Sequence, residues 1–169
     1  METTARLLNN LKERAQQASS QHNALVKKLK KKKYKNLDDV VHSYHDEVFE
    51  QIDCLSCANC CKILGPRITD HDIARLAKHL KLKPGKFIDT YLKIDEDGDY
   101  VFKNMPCPFL LPDNYCMVYE YRPKACREYP HTDRKRFYQA LNVTLKNTAT
   151  CPAVFEIMER LKNHYNGII

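Results

Sequence analysis

Eight cysteines in 169 residues constrain this chain more than any other feature. Four of them form one run, Cys54-x2-Cys57-x2-Cys60-Cys61. A two-residue gap lets a single turn of backbone present two thiolates to one metal, so this spacing recurs in zinc and iron sites. Two such gaps in series put three thiolates on one loop. The remaining four, Cys107, Cys116, Cys126 and Cys151, are separated by 8, 9 and 24 residues, so the fold must gather them. Four plus four thiols suffice for two four-coordinate sites, or for one larger cluster with spare thiols.

The N-terminus lacks the apolar core of a signal peptide, and no apolar run approaches a bilayer-spanning length. A cytoplasmic location is therefore expected. In a reducing compartment such a cysteine count points to metal or redox chemistry rather than disulfide staples. The plain alternative is a set of buried, unligated or disulfide-bonded cysteines, and the tight spacing argues against it. The 4 glycines, Gly65, Gly85, Gly98 and Gly167, never form G-x-G, which excludes a glycine loop cradling phosphate.

Cys60 and Cys61 pose a geometric problem. Neighbouring side chains point roughly oppositely in extended chain and about 100° apart in a helix. Shared ligation of one mononuclear tetrahedral metal is then strained. One thiol is expected to complete a first site while the other reaches a second site, bridges or stays unligated. Zinc and iron–sulfur are hard to separate here. The Cys-x2-Cys-x2-Cys start matches a ferredoxin run, but that run continues with x3-Cys-Pro. Cys-Pro occurs remotely, at Cys107-Pro108 and Cys151-Pro152, so a distant thiol is available to close a 4Fe–4S cluster. Zinc sites prefer paired Cys-x2-Cys units, which only the first group supplies.

The net charge of +7 is unevenly spread. Residues 1–36 hold 10 Lys/Arg against 2 Glu, and residues 37–169 hold 18 Lys/Arg against 19 Asp/Glu. The basic character belongs to the first segment, through Lys27, Lys28, Lys30, Lys31, Lys32, Lys33 and Lys35. Such a run suits the phosphates of nucleic acid or an anionic membrane surface. Its plain reading is a solvated helical extension. Tyr34 is its one interleaved aromatic, which is little for stacking single strands.

Periodicity predicts a helix over residues 1–30 and another over 37–52. Thr69-x-x-Asp72 reads as a capping-box variant opening a helix to about Leu80, with capping also accounting for Asp72 beside His71. Pro84 suits the start of the next helix. Tyr91–Ile94 and Tyr100–Phe102 flank Asp97-Gly98 as a β-hairpin, and the acidic turn fails EF-hand spacing. Residues 104–130 look irregular, with Pro123 opening a short helix that carries Cys126. Residues 134–148 lean to strand around Phe137–Leu145. Cys151-Pro152 opens the last helix.

With both cysteine groups in view, the chain resembles the CxxCxxCC zinc- or iron-chelating family, the YkgJ-like cysteine-cluster proteins. The resemblance rests on Cys54-x-x-Cys57-x-x-Cys60-Cys61, Cys107-Pro108-Phe109-Leu110, Cys116-Met-Val-Tyr119-Glu-Tyr-Arg122-Pro123-x-x-Cys126-Arg127-Glu-Tyr129-Pro130 and Cys151-Pro152, over about residues 50–155. Asn59 stands where the family often has Gly, and Asn also tolerates left-handed backbone. Tyr129 stands where Phe is usual. The resemblance implies chelation of zinc or iron. Flagellin lysine N-methylases look related through the same cysteines, with an iron–sulfur cluster implied. This short chain has no S-adenosylmethionine glycine motif, so methylase activity is not carried over.

The expected fold is α+β and mainly helical: a basic helical extension over 1–36, then a small cysteine-cluster domain over 37–169 with irregular metal-binding loops and a β-hairpin. The metal candidates are Cys54, Cys57, Cys60, Cys61, Cys107, Cys116, Cys126 and Cys151, and no catalytic residue is identified. Arg122, Lys124, Arg127, Lys62 and Arg67 either offset a negative thiolate site or pair with surface carboxylates. His131 is a weaker ligand candidate. Tyr115, Tyr119, Tyr121 and Tyr129 are expected to cover the second group. Three function classes follow. One is a zinc- or iron-binding protein with a metal-ion or protein partner. The second is a redox or protein-modifying enzyme using an iron–sulfur cluster. The third is an adaptor for nucleic acid or anionic membrane through Lys27–Lys35.

Overall fold

The computed structural model describes residues 6–166, and the architecture is α+β and mainly helical with one small antiparallel hairpin. The start of the helix expected over 1–30 lies outside the described residues for its first five positions. The chain divides into two compact units, Met1–Cys57 with Pro130–Ile169, and Ala58–Tyr129.

The first unit is built from α1 (Leu11–Lys32), α2 (Leu37–Phe49), α3 (Cys54–Cys57), α8 (Leu141–Asn147) and α9 (Pro152–Asn166). Its core joins Leu25, Val26 and Leu29 of α1 and Val41 and Val48 of α2 to Ile157, Met158, Leu161 and Tyr165 of α9. The N-terminal helix, expected as a basic helical extension, buries Leu25, Val26 and Leu29 in this core. Lys28 is part of this packing, its ammonium donating to the Tyr165 carbonyl at 2.6 Å. His22 is fully buried against the Phe155 ring, with its Nε2 2.7 Å from Glu159.

The strand expected around Phe137–Leu145 is not formed. A 3-10 turn at Phe137–Gln139 runs into α8 instead. Phe137, Ala140, Leu141 and Thr144 are the buried positions, which is helical spacing rather than alternation. The turn is fixed from a distance: the Asp38 carboxylate accepts the backbone N–H of Arg136 at 2.6 Å and of Phe137 at 2.9 Å.

The second unit holds α4 (Asn59–Ile63), α5 (Asp70–His79), α6 (Pro84–Tyr91), the hairpin β1 (Leu92–Ile94) with β2 (Tyr100–Phe102), and α7 (Lys124–Glu128). Thr69 and Asp72 form the full capping box at α5. In the hairpin Leu92 pairs with Phe102 and Ile94 with Tyr100. The Asp95 carboxylate accepts the N–H of Asp97 and of Asp99, and Gly98 takes the positive φ of 81° that the turn needs. Ile73, Leu76, Phe87, Leu92, Phe102 and Phe109 form the core here.

Candidate metal centre

The two units divide the eight cysteines, with Cys54, Cys57 and Cys151 in the first and Cys60, Cys61, Cys107, Cys116 and Cys126 in the second. None of the eight is in a disulfide.

In the first unit, Asp53 opens α3, its carboxylate accepting the N–H of Leu55 at 2.9 Å and of Ser56 at 3.2 Å. One helical turn then carries Cys54 and Cys57. Cys151 precedes Pro152 at the start of α9, and its thiol receives the N–H of Val154 and Ala153. Burial pushes this thiol up to about 12, and the proximity of Cys54 and Cys57 adds to the rise.

The second unit gathers its thiols through backbone hydrogen bonds. Ala58 takes the left-handed conformation, φ 46°, just before α4. The expectation gave that role to Asn59, which instead begins the helix. The Cys107 N–H donates to the Cys61 carbonyl at 2.8 Å, seating the 104–110 segment on α4. Leu110 and Cys116 form an antiparallel bridge, and the Met117 N–H donates to the Phe109 carbonyl at 2.8 Å. This small turn brings Cys116 back toward Cys107. Cys126 is placed by α7, whose start is held at two points. The Asp72 carboxylate accepts the Lys124 N–H at 3.0 Å, and the Arg75 guanidinium donates to the Arg122 carbonyl at 2.6 Å.

Asp72 thus serves two helices at once. Burial pushes its carboxyl up, but hydrogen bonds from Thr69 and Lys124, with Arg75 alongside, hold it below the usual carboxylate range. Sequence reasoning found the cap and missed the clamp on Cys126. Nothing local signals it, because Lys124 lies 52 residues from Asp72.

The electrostatics show which thiols are neighbours. Burial pushes Cys107 up to about 11, with Cys61 and Cys116 adding to the rise. Burial likewise raises Cys116, with Cys61 adding to it. Burial pushes Cys126 up to about 12, and here Cys61, Cys107 and Cys116 all contribute. Cys61, Cys107, Cys116 and Cys126 therefore interact in every pairwise combination. Cys61 differs from the rest. A hydrogen bond from Cys60, whose Sγ lies 3.9 Å away, holds it down at about 7, with Arg122 and Lys62 assisting. Among the described residues, no three His, Cys, Asp or Glu side chains are closed up into a metal-ion shell. The four are adjacent thiols whose mutual repulsion opposes ionisation. A divalent cation offsets that repulsion, so the donor set fits a thiophilic metal.

The surrounding cations separate into two kinds. Arg122 and Lys62 act on Cys61, whereas Arg67 pairs with Asp99 at 2.9 Å and Lys124 with Glu128 at 3.6 Å. Arg127 donates to the Arg122 carbonyl at 3.0 Å. Three of the four tyrosines expected over the second group are exposed. Tyr115, Tyr119 and Tyr121 are exposed, with Tyr119 stacked under Arg122 at 3.5 Å and Tyr121 on His79 at 3.9 Å. The Tyr119 ring braces a cation, and the Tyr121 ring braces the end of α5. His131 lies in the first unit, with a positive φ of 69°.

A small, mainly helical α+β chain with neighbouring half-buried thiols fits the class of metal-chelating proteins. The family model CxxCxxCC, described as a putative zinc- or iron-chelating domain, matches residues 53–152, and the chain belongs to that family. No curated protein and no solved structure matches it. Among the described residues no helix is long and apolar enough to cross a membrane.

Proposed function

We propose that the chain chelates one zinc or iron ion through Cys61, Cys107, Cys116 and Cys126. The observation that carries this is the proximity of those four half-buried thiols, with the Cys107 N–H on the Cys61 carbonyl at 2.8 Å and the Leu110–Cys116 bridge joining their segments. Cys60 then stands outside the ligand set as the hydrogen-bond donor to Cys61. The ionisable Cys61 engages metal first, and the other three release protons as they ligate. The ion supplies charge neutralisation for four thiolates, and Arg122 and Lys62 offset the remaining negative charge. A closed four-thiolate set leaves no open position for substrate, which favours metal binding with a structural role over catalysis.

The test is metal and acid-labile sulfide analysis of anaerobically purified chain, with Cys126→Ser and Cys151→Ser beside it. The expected result is zinc or iron without sulfide, with Cys126→Ser losing one metal per chain that Cys151→Ser retains. Stoichiometric sulfide with a brown spectrum overturns the single-ion reading in favour of a 4Fe–4S cluster and reopens the enzyme class. Metal that survives Cys126→Ser overturns the ligand set.

A further inference from the structure

The first unit contains a feature unrelated to the thiols. The C-terminal end of α1 and the segment before α8 each carry a basic run, the lysines of 27–35 and Arg134-Lys135-Arg136. They lie about a hundred residues apart in the chain, and Lys33, Lys35 and Arg136 line one pocket of about 390 Å³ with Tyr34, Tyr138 and Asp38. The mouth is concave, cationic and aromatic at once.

Three observations make this more than a solvated charge run. First, the pocket's acid is already used, because both Asp38 oxygens accept backbone N–H groups of Arg136 and Phe137. Among the described residues no carboxylate forms an ion pair with Lys33, Lys35 or Arg136. The other large groove differs in this respect, since Arg14 pairs with Glu156 at 2.8 Å and Lys162 with Glu159 at 2.6 Å. Secondly, Lys33 and Arg136 both hold left-handed backbone, φ 46° and 58°, a conformation that bulky side chains adopt at a cost. Surrounding structure holds both in place, through the Lys33 N–H donated to the Leu29 carbonyl and through Asp38. Thirdly, the aromatics are of two kinds. Tyr34 is fixed against the buried Tyr165 ring at 4.5 Å, whereas the Tyr138 ring is 50% exposed and has a face to offer.

We infer that this pocket binds single-stranded nucleic acid, with phosphates on Lys33, Lys35 and Arg136 and a base stacked on Tyr138. Cations combined with an exposed aromatic platform are the general means of holding single strands without sequence preference. An anionic membrane would use the same charges, but it also wants apolar side chains to insert. In this unit the exposed large hydrophobics among the described residues are Tyr138 and Val143. A concave site also suits a strand better than a flat headgroup layer. The second aromatic, which the α1 run lacks in sequence, comes from the 3-10 turn after Arg136.

The test is fluorescence anisotropy of the full, metal-loaded chain with labelled oligouridine and oligothymidine of about 12 nucleotides. Vesicles with about 30% phosphatidylserine serve as the competing probe. Both oligonucleotides are expected to bind, with log K falling against log salt at a slope of about −2 for three phosphate contacts. Preference for oligouridine assigns RNA, and equal binding assigns single strands in general. Tyr138→Ala should weaken binding roughly five- to a hundredfold at little change in salt slope. Arg136→Glu and Lys35→Glu should weaken it and flatten the slope. All three side chains are on the surface, and melting curves matched to the parent chain check the fold. Oligonucleotide binding unchanged in Tyr138→Ala and Arg136→Glu overturns the assignment. So does a chain that binds vesicles and neither oligonucleotide.

Discussion

The two units reach stability by different routes. Met1–Cys57 with Pro130–Ile169 relies on three helices of 22, 13 and 15 residues, whose stripes meet in a continuous aliphatic core. Ala58–Tyr129 is a stretch of about 70 residues with short helices, three-residue strands and long irregular connections. A domain of that size is marginal on apolar burial alone, and small folds add staples. The unit with the weaker core is also the one that holds five thiols. On the proposed ligand set, metal removal should therefore act unequally along the chain.

The largest effect should come from removing metal. Chelation, or Cys126→Ser, is expected to lower amide-exchange protection through residues 58–129 far more than around Leu161 of α9. Structural zinc contributes on the order of 10–16 kcal/mol in finger peptides, so its removal should fall mainly on the unit that holds the proposed ligands. Uniform loss of protection across both units would break the contrast, and unchanged protection would show that the thiols are not structural.

The reciprocal experiment comes next. Leu161 is fully buried in the first unit, so Leu161→Ala should cost about 2–5 kcal/mol by opening a cavity. Denaturant melting followed by helical signal should show that loss, while bound metal per folded chain stays the same. Loss of metal from folded Leu161→Ala protein would mean that the two routes are not separate.

What was legible in the sequence follows the range of the interaction. The capping box at Thr69 and Asp72, Pro84 at a helix start, the Gly98 turn and Pro152 at the last helix are all specified within a few residues, and each is present. The apolar residues of 134–148 permit both the strand and the helical period. Burial of Phe137, Ala140, Leu141 and Thr144 shows that the helical period governs, helped by Asp38 about a hundred residues away. The adjacency of Cys60 and Cys61 and the need to gather Cys107, Cys116 and Cys126 were visible. How the thiols divide between units was not, because it depends on where the chain leaves one core and enters the other.

A smaller effect should fall on the clamp. Asp72→Ala removes the N3 half of the Thr69 capping box and the acceptor for the Lys124 N–H, so a cost of about 1–3 kcal/mol is expected. Competition with a colorimetric zinc chelator should also show weaker metal binding, because Cys126 loses its fixed helix start. Asp72→Asn keeps a capping oxygen and should recover part of the stability. Equal affinity in Asp72→Ala would remove the clamp from the account of the site.

Alkaline pH probes the metal-free second unit more gently. Cys107 and Cys126 ionise at about 11 and 12 in the fold, above the ordinary thiol value of 9.0. Raised folded values mean that these thiols favour the folded chain fully below pH 9. That contribution is lost as pH rises through their folded values. Metal-free chain should therefore lose stability between about pH 9 and 12 in residues 58–129. Cys61 shifts the other way, and here the readout is reactivity. Iodoacetamide labelling followed by mass spectrometry should modify Cys61 with a midpoint near pH 7, well before Cys107 or Cys126. Removing the hydrogen-bond donor in Cys60→Ala should move that midpoint up toward the ordinary thiol value, while Arg122 and Lys62 hold it partly down. An unmoved midpoint would show that the cations alone set Cys61. The adjacent cysteine would then need a role other than tuning its neighbour, such as a place in the ligand set itself.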